Sequence, residues 1–421
     1  MSVAATLPED GTAGALAGRV WLPAVEGPAV IAVRGDGVYD ISALTASMRD
    51  LCEAAAPARI VREAKAARLA SLQEILSNTP LSARDPAKPW LLAPIDLQAI
   101  KAAGVTFPRS LLERVIEEQA RGAPEKAEAI RSSVAAQFGG DLAKLVPGSQ
   151  QAAELKRVLI AQGAWSQYLE VGIGPDAEIF TKGQPMSAVG HGMDAGLHPI
   201  SNWNNPEPEV VLVISSQGTI VGATLGNDVN LRDVEGRSAL LLSKAKDNNA
   251  STALGPFVRF FDSTFSLGDV RGIEVRLSVE GEDGFVLSGR SSMREIARDP
   301  SELVKQMLGR HHQYPDGAVL FLGTMFAPIE DRGAKGHGFT HKQGDITTIA
   351  APELGTLANR MTLTTEAPPW TFGPGALMHN LARRGLLQRA AERDLGFKAE
   401  VGLDDGLRAL VAWWRAEQEQ P

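Results

Sequence analysis

Residues 205–247, NPEPEVVLVISSQGTIVGATLGNDVNLRDVEGRSALLLSKAKD, concentrate the residue types that do chemistry. Glu207 and Glu209 stand two apart at the head of an apolar, β-branched run, and Asp228 follows nineteen residues after Glu209 in a polar GND step. Three carboxylates at the ends of neighbouring strands make an oxygen-only site that suits a hard cation, Mg²⁺, Ca²⁺ or Mn²⁺, and not zinc. Arg232, Glu235, Lys244 and Lys246 come next, so cations and further acids follow the carboxylates closely.

Two strands must bring those carboxylates together. Alternate residues of a strand share a face, so Glu207 and Glu209 point the same way. The run VVLVISSQGTIVGATLG reads as two strands joined by a Gly-containing turn. A turn centred near Gln217 folds position 207 onto about 227 and sets Glu207 beside Asp228. Left without a counter-charge and desolvated, such a cluster would repel itself by on the order of several kcal/mol. A divalent ion removes that conflict; the alternative is a solvated sheet edge bearing surface glutamates.

Glu-x-Glu, then Gly-Asn-Asp-Val, an Arg-Asp pair and a lysine nine residues before Gly-Pro resemble the fumarylacetoacetate hydrolase superfamily. Gly323 and Thr324 in LFLGTMFAP resemble its Gly-Thr loop, and THKQGDITTIAAPELGTLANRM, 340–361, resembles its closing strands. The similarity runs over roughly 95–388. Within the superfamily, SQYLEVGIGPDAEIFTKG, WNNPEPEVVL, GNDVNLRD and SKAKDNNAS are most similar to the sugar-acid dehydratase branch.

That resemblance implies an α+β fold whose mainly β catalytic domain is of fumarylacetoacetate hydrolase type. It also implies a Mg²⁺-dependent lyase (Mn²⁺ or Ca²⁺ as substitutes) converting a 2-keto-3-deoxy-D-pentonate, from D-xylonate or D-arabinonate, to 2,5-dioxopentanoate. A metal held by Glu207, Glu209 and Asp228 would bind the substrate's carboxylate and 2-keto oxygens and make its C3 protons removable. Lys246 aligns with the family's catalytic lysine, ten residues before Pro256, and is the expected base, with a pKa depressed by the cation and by partial burial. Lys244, two residues upstream, would share its face on a strand, so only the spacing to Gly-Pro separates them.

The segment GVTFPRSLLERVIEE, 104–118, resembles the Asn-Tyr-x-x-His-x-x-Glu segment that opens the lid helix of the hydrolases. Ser110 stands at the histidine position and cannot act as that general base at neutral pH, which argues against hydrolysis. Glu113 keeps the glutamate's place and becomes the expected acid for the departing 4-hydroxyl, while Glu117 and Glu118 read as a solvated helix face. The expected substrate-binding set is Arg232, Thr324, Ser110 and Lys182. Arg232 would clamp a carboxylate, orient Glu235 or pair structurally with Asp233 or Glu235. Thr324 would offer its N–H and hydroxyl, and Lys182 would sit at the pocket mouth. The alternatives on the same scaffold are an acylpyruvate-type C–C hydrolase or an oxaloacetate-type decarboxylase. A non-catalytic sugar-acid binder is the alternative of another kind.

The whole chain is compatible with such an enzyme. Its 421 residues can hold two domains. A net charge of −8 and a pI near 5.5 argue against nucleic acid or an anionic membrane as partner. The single cysteine, Cys52, excludes an internal disulfide, and the histidines show no metal-ligand spacing. The N-terminal residues lack a basic start and an apolar core, and no apolar run reaches membrane-spanning length, so a cytoplasmic location is expected; the expected assembly is a homodimer or higher homo-oligomer.

Residues 18–42 read as short strands with GDG-type turns, and 44–77 as helix, giving a small N-terminal α/β domain over 1–94. The catalytic domain then covers 95–388, with its best helix over 110–138 interrupted at Gly122-Ala123-Pro124 and short strands dominating from Gln167. Residues 389–421 read as an appended amphipathic tail, with Leu407, Leu410, Val411 and Trp414 on one face.

Overall fold

The structure is a computed structural model that describes residues 2–127, 130, 145–161, 163, 165–326, 328, 330–333, 335–336, 338–387 and 401–418. Strands come first along the chain as β1 (Ala15–Leu22), β2 (Gly27–Arg34), β3 (Gly37–Asp40), β4 (Ala67–Ala70) and β5 (Trp90–Leu92). Then follow β6 (Ala99–Gly104), β7 (Glu178–Gly183), β8 (Asp194–Leu197), β9 (Asn204–Asn205), β10 (Pro208–Ile214), β11 (Ile220–Asp228), β12 (Asn230–Leu231) and β13 (Thr252–Phe260). The last are β14 (Glu274–Glu280), β15 (Val286–Ser292), β16 (Ala318–Phe321), β17 (Ile346–Ala351) and β18 (Gly355–Leu363).

The larger sheet runs β4-β3-β2-β1-β13-β11-β10-β16-β6-β7, with β5 paired to β1, and a five-stranded sheet runs β15-β14-β17-β18-β8. β10 lies inside the larger sheet and is buried along its whole length. Val210, Leu212 and Ile214 face a core shared with Val275, Leu277, Val279 and Ile349 of the second sheet. Val211 and Val213 face the opposite core with Val30, Ala32 and Val258. Burial on both faces explains why this strand reads as an unbroken apolar run. Each such side chain contributes roughly 1.5–3 kcal/mol.

Strands of the N-terminal segment continue the catalytic sheet: β1 pairs antiparallel with β13, Leu16 facing Arg259, and with β2 on its other side. The helix expected over 44–77 is broken into α1 (Met48–Glu53), α2 (Pro57–Glu63) and α3 (Leu72–Asn78), with β4 between the last two. The reasons are local. Ser47 and Ser71 cap new helix starts, Ser71 through a reciprocal capping box with Glu74, and Pro57 opens α2 in its first turn. Residues 67–70 are recruited as an edge strand by β3.

Four helices frame the site: α4 (Pro108–Ala120), α5 (Gln167–Ile173), α6 (Arg232–Glu235) and α7 (Leu242–Lys246). Helix α4 begins at Pro108 and ends on Arg121 in the left-handed region (φ +52°), just ahead of the expected Gly122 break. Most of 128–144 lies outside the described residues. In the tail, α8 (Leu403–Gln418) is a helix as expected, and 388–400 lie outside the described residues. Trp413 and Trp414 are 59% and 57% exposed, so this pair is not packed against the rest of the described chain. Among the described residues no helix is long and apolar enough to cross a membrane.

Candidate metal centre and its cleft

The β10–β11 hairpin has the expected register. Pro208 faces Asn227 and Glu209 faces Gly226, and the Asp228 N–H donates to the Glu207 carbonyl at 3.1 Å. Glu207, Glu209 and Asp228 each offer a carboxylate oxygen within 4.8 Å of the others, and all three are buried. This is the donor set of a hard divalent cation. Asp228 Oδ1 makes no hydrogen bond, its contact with Lys182 being ionic, which leaves an oxygen with capacity for such an ion. Burial and the neighbouring Asp228 and Glu207 charges push Glu209 well above the carboxylate range, although the Gly323 N–H donates to it at 2.6 Å. Gly323 has φ +86°, and a Cβ there would stand 2.0 Å from Thr106 Oγ1, so this turn requires glycine.

Lys246 ends α7 and is 2% exposed. Its Nζ donates to Glu207 Oε2 at 2.5 Å and to Asp228 Oδ2 at 3.1 Å. Lys244 is exposed on the same helix. The strand expected here is a helix, on which positions two apart diverge, so geometry as well as spacing separates the two lysines. The depressed pKa expected for Lys246 is also corrected. Burial acts to lower it, but the carboxylates of Asp228, Glu207 and Glu235 outweigh burial and raise it. For Glu207, burial raises the pKa, but Lys246 and Arg114 dominate and hold the carboxyl below its ordinary value.

Lys182 does not stand at the pocket mouth. Its side chain is fully buried behind the carboxylates, with Nζ 3.1 Å from Asp228 Oδ1, 2.5 Å from the Lys246 carbonyl and 3.3 Å from Ser251 Oγ. Its alternating position on β7 directs it inward, and burial lowers its pKa against the pull of Asp228. It braces a candidate ligand and the candidate base together.

Helix α4 closes the other side. Ser110, Glu113, Arg114 and Glu117 line the cleft with Arg232, Glu235, Thr324, Phe180 and Phe326. Ser110 Oγ donates to the Phe107 carbonyl at 3.0 Å. Arg232 pairs with neither Asp233 nor Glu235. Its Nε donates to Glu117 Oε1 at 2.7 Å, its Nη2 lies 3.5 Å from Glu113 Oε2, and its guanidinium lies over the Trp203 ring at 4.2 Å.

Several residues escaped the sequence reading. Glu117, taken for a solvated face, is 2% exposed and links Arg232 to Arg114. Its helical spacing of four from Glu113 was the available signal. Arg114 also donates to Glu207 Oε1 and lies 3.1 Å from Glu235 Oε2. Glu178 opens β7 opposite Gly104, where a Cβ would stand 2.1 Å from its Oε2, so the glycine leaves room for this carboxyl. Burial, with Glu235 nearby, pushes Glu178 up to about 7 against the opposing cations Arg114 and Lys246. It lies within SQYLEVGIGPDAEIFTKG, where the resemblance assigns it no role.

Residues 162–362 match the fumarylacetoacetate (FAA) hydrolase C-terminal family. That match spans a little under half of the chain, so over this part the protein is similar to the fumarylacetoacetate hydrolase family. It is 31% identical over 180 residues to 2-dehydro-3-deoxy-D-arabinonate dehydratase of Saccharolobus solfataricus, covering 43% of this chain and 57% of that protein. It is 31% identical over 195 residues to probable 2-keto-3-deoxyxylonate dehydratase of Haloferax volcanii, covering 46% of this chain and 63% of that protein. The chain thus spans about six tenths of the length of these curated relatives. The fold is that of solved 2-keto-3-deoxyarabinonate dehydratase: a hexagonal crystal form gives a TM-score of 0.57 at 20% identity, over 82% of this chain and 98% of that one. A form complexed with magnesium and 2,5-dioxopentanoate gives 0.56 at 19% identity, over 83% and 99%.

Proposed function

We propose that the chain is a divalent-cation-dependent hydro-lyase that dehydrates a 2-keto-3-deoxy-D-pentonate to 2,5-dioxopentanoate. The observation that carries the reading is Lys246: a buried amine bonded to two of three convergent carboxylates, within a family whose similar members are named as such dehydratases. Glu207, Glu209 and Asp228 would hold Mg²⁺, Mn²⁺ or Ca²⁺. Such an ion supplies Lewis-acid polarisation of a 2-keto acid.

Lys246 takes a proton from C3 of the substrate. The carboxylates that raise its pKa are the ones that would ligate a cation, and sharing their charge loosens their hold on the ammonium proton. The 4-hydroxyl then leaves as water, taking a proton from a carboxylic acid and leaving a C3–C4 double bond. Tautomerisation moves the unsaturation to C5 and yields the aldehyde. Glu113 is one candidate for that acid. Glu178 is the second, favoured by a pKa raised to about 7, which keeps a proton available near neutrality. Arg232, Thr324 and Ser110 line the cleft, and in this reading Arg232 and Thr324 receive the substrate's carboxylate while Ser110 contacts its chain. A serine where the hydrolases use histidine supports elimination over water-driven C–C cleavage.

The test is an assay of the purified protein with Mg²⁺ on D- and L-2-keto-3-deoxypentonate, following semialdehyde through a coupled dehydrogenase. Turnover of the D-substrate is expected. Pyruvate from an acylpyruvate, with no semialdehyde from either pentonate, would overturn the reading in favour of the hydrolase.

A further inference from the structure

Glu207 is held on both of its oxygens: Oε2 by Lys246 at 2.5 Å, and Oε1 by the Nη2 of Arg114. Arg114 belongs to α4, a different element from the strand that carries the carboxylates. Its Nη1 donates to Glu117 Oε2 at 2.7 Å and lies 3.1 Å from Glu235 Oε2. Glu117 is anchored in turn by Arg232 at 2.7 Å. A planar guanidinium can engage Glu207 and Glu117 at once because its donors diverge in a rigid fork. One hydrogen bond per oxygen leaves each Glu207 oxygen with further lone-pair capacity.

We infer that Arg114 is a positioning residue that orients Glu207 for the cation and makes cation affinity depend on α4 being seated over the cleft. The inference rests on the metal reading above. Outer partners of a ligating carboxylate fix its rotamer, and their loss typically weakens metal binding about 10–100-fold. By linkage, an ion that binds better when α4 is seated also protects α4.

The test is a Mn²⁺ titration of the full chain, read by the electron paramagnetic resonance signal of free Mn²⁺, with hydrogen exchange of the 108–120 amides alongside. Wild type is expected to bind Mn²⁺ and to exchange more slowly along α4 when bound. Arg114→Gln is expected to raise the Mn²⁺ Kd about 10–100-fold and to abolish the Mn²⁺-dependent protection. Arg114→Lys, a point charge that reaches one carboxylate, should be intermediate. Glu117→Gln, which removes the anchor and leaves the arginine, should weaken Mn²⁺ in the same direction. Arg109→Gln, exposed on the same helix, should match wild type. If Arg114→Gln does not fold, the lysine and Glu117 variants decide. An unchanged Mn²⁺ Kd in these variants overturns the inference alone, and one accompanied by a raised KM would make Arg114 a substrate clamp instead. A wild type that binds no Mn²⁺ takes down the metal reading, and this inference with it.

Discussion

Lys182 and Asp228 form an ion pair at 3.1 Å with both side chains shut away from solvent, and the Lys182 ammonium also reaches the carbonyl of Lys246 at 2.5 Å. One buried cation thus steadies a candidate metal ligand and the candidate base. Lys182→Met leaves Asp228 buried among carboxylates with one cation fewer. Removing one partner of a buried pair costs about 3–5 kcal/mol. A melting temperature well below wild type is expected, with activity lost even where folded protein is recovered. A Lys182→Met variant of native stability and turnover would show the pair to be incidental.

Metal removal is the second test. Glu207, Glu209 and Asp228 are expected to place oxygens about 2.0–2.6 Å from a bound Mg²⁺ or Ca²⁺. Exhaustive treatment with EDTA should abolish turnover, and Mg²⁺ or Mn²⁺ should restore it. Full activity after chelation would exclude the mechanism.

Base and acid are separable by exchange. Lys246→Met should stop exchange of the substrate's C3 protons with deuterated solvent. Glu113→Gln should block dehydration while leaving C3 exchange, because losing a general acid lowers a rate about 10²–10⁴-fold. If Glu113→Gln keeps wild-type kcat, the acid is elsewhere, and Glu178 is the residue to replace next.

Glu178 also makes a prediction with pH. Its folded-state pKa, about 7, is raised above its ordinary value of 4.5, mainly by burial. Its proton-linked stabilisation is therefore fully present at and below pH 4.5 and is lost as pH rises through 7. The melting temperature should accordingly fall as pH rises across this window, and Glu178→Gln should flatten the dependence. If Glu178 is the acid, wild-type kcat declines on the alkaline side of 7, and the glutamine variant loses most of its activity. A pH profile of kcat and of melting temperature, measured on both proteins, decides.

The tail predicts little for the protomer. Leu410, Trp413 and Trp414 are 56%, 59% and 57% exposed, so they bury little apolar area against this chain. Deleting 389–421 should leave kcat and the melting temperature near wild type. An assembly that uses this face would show on size-exclusion chromatography as a smaller species after the deletion. A large loss of kcat would mean that the tail takes part in the active site.

The carboxylate triad was legible in the chain because it is a local affair. Glu207, Glu209 and Asp228 lie on one hairpin, and alternation along β10 with a turn near Gln217 places them together without knowledge of anything else. The Gly323–Thr324 loop was legible only through its resemblance to the family's Gly-Thr loop, and the strand pattern exposed the β-rich character. Other features depended on contacts between distant segments, and no local pattern encodes those. The N-terminal strands join the catalytic sheet because β1 finds β13, more than two hundred residues away in sequence. Lys182 proved a buried brace and not a surface lysine because β7 happens to back onto the carboxylates. Glu117 reads from sequence as a solvated helix face and Arg114 carries no signal at all; only when α4 lies over the cleft do Glu207, Glu235 and Arg232 supply their partners. Periodicity reports which side of an element is apolar. Where a charged side chain finds its counter-charge is decided only by which elements the fold brings face to face.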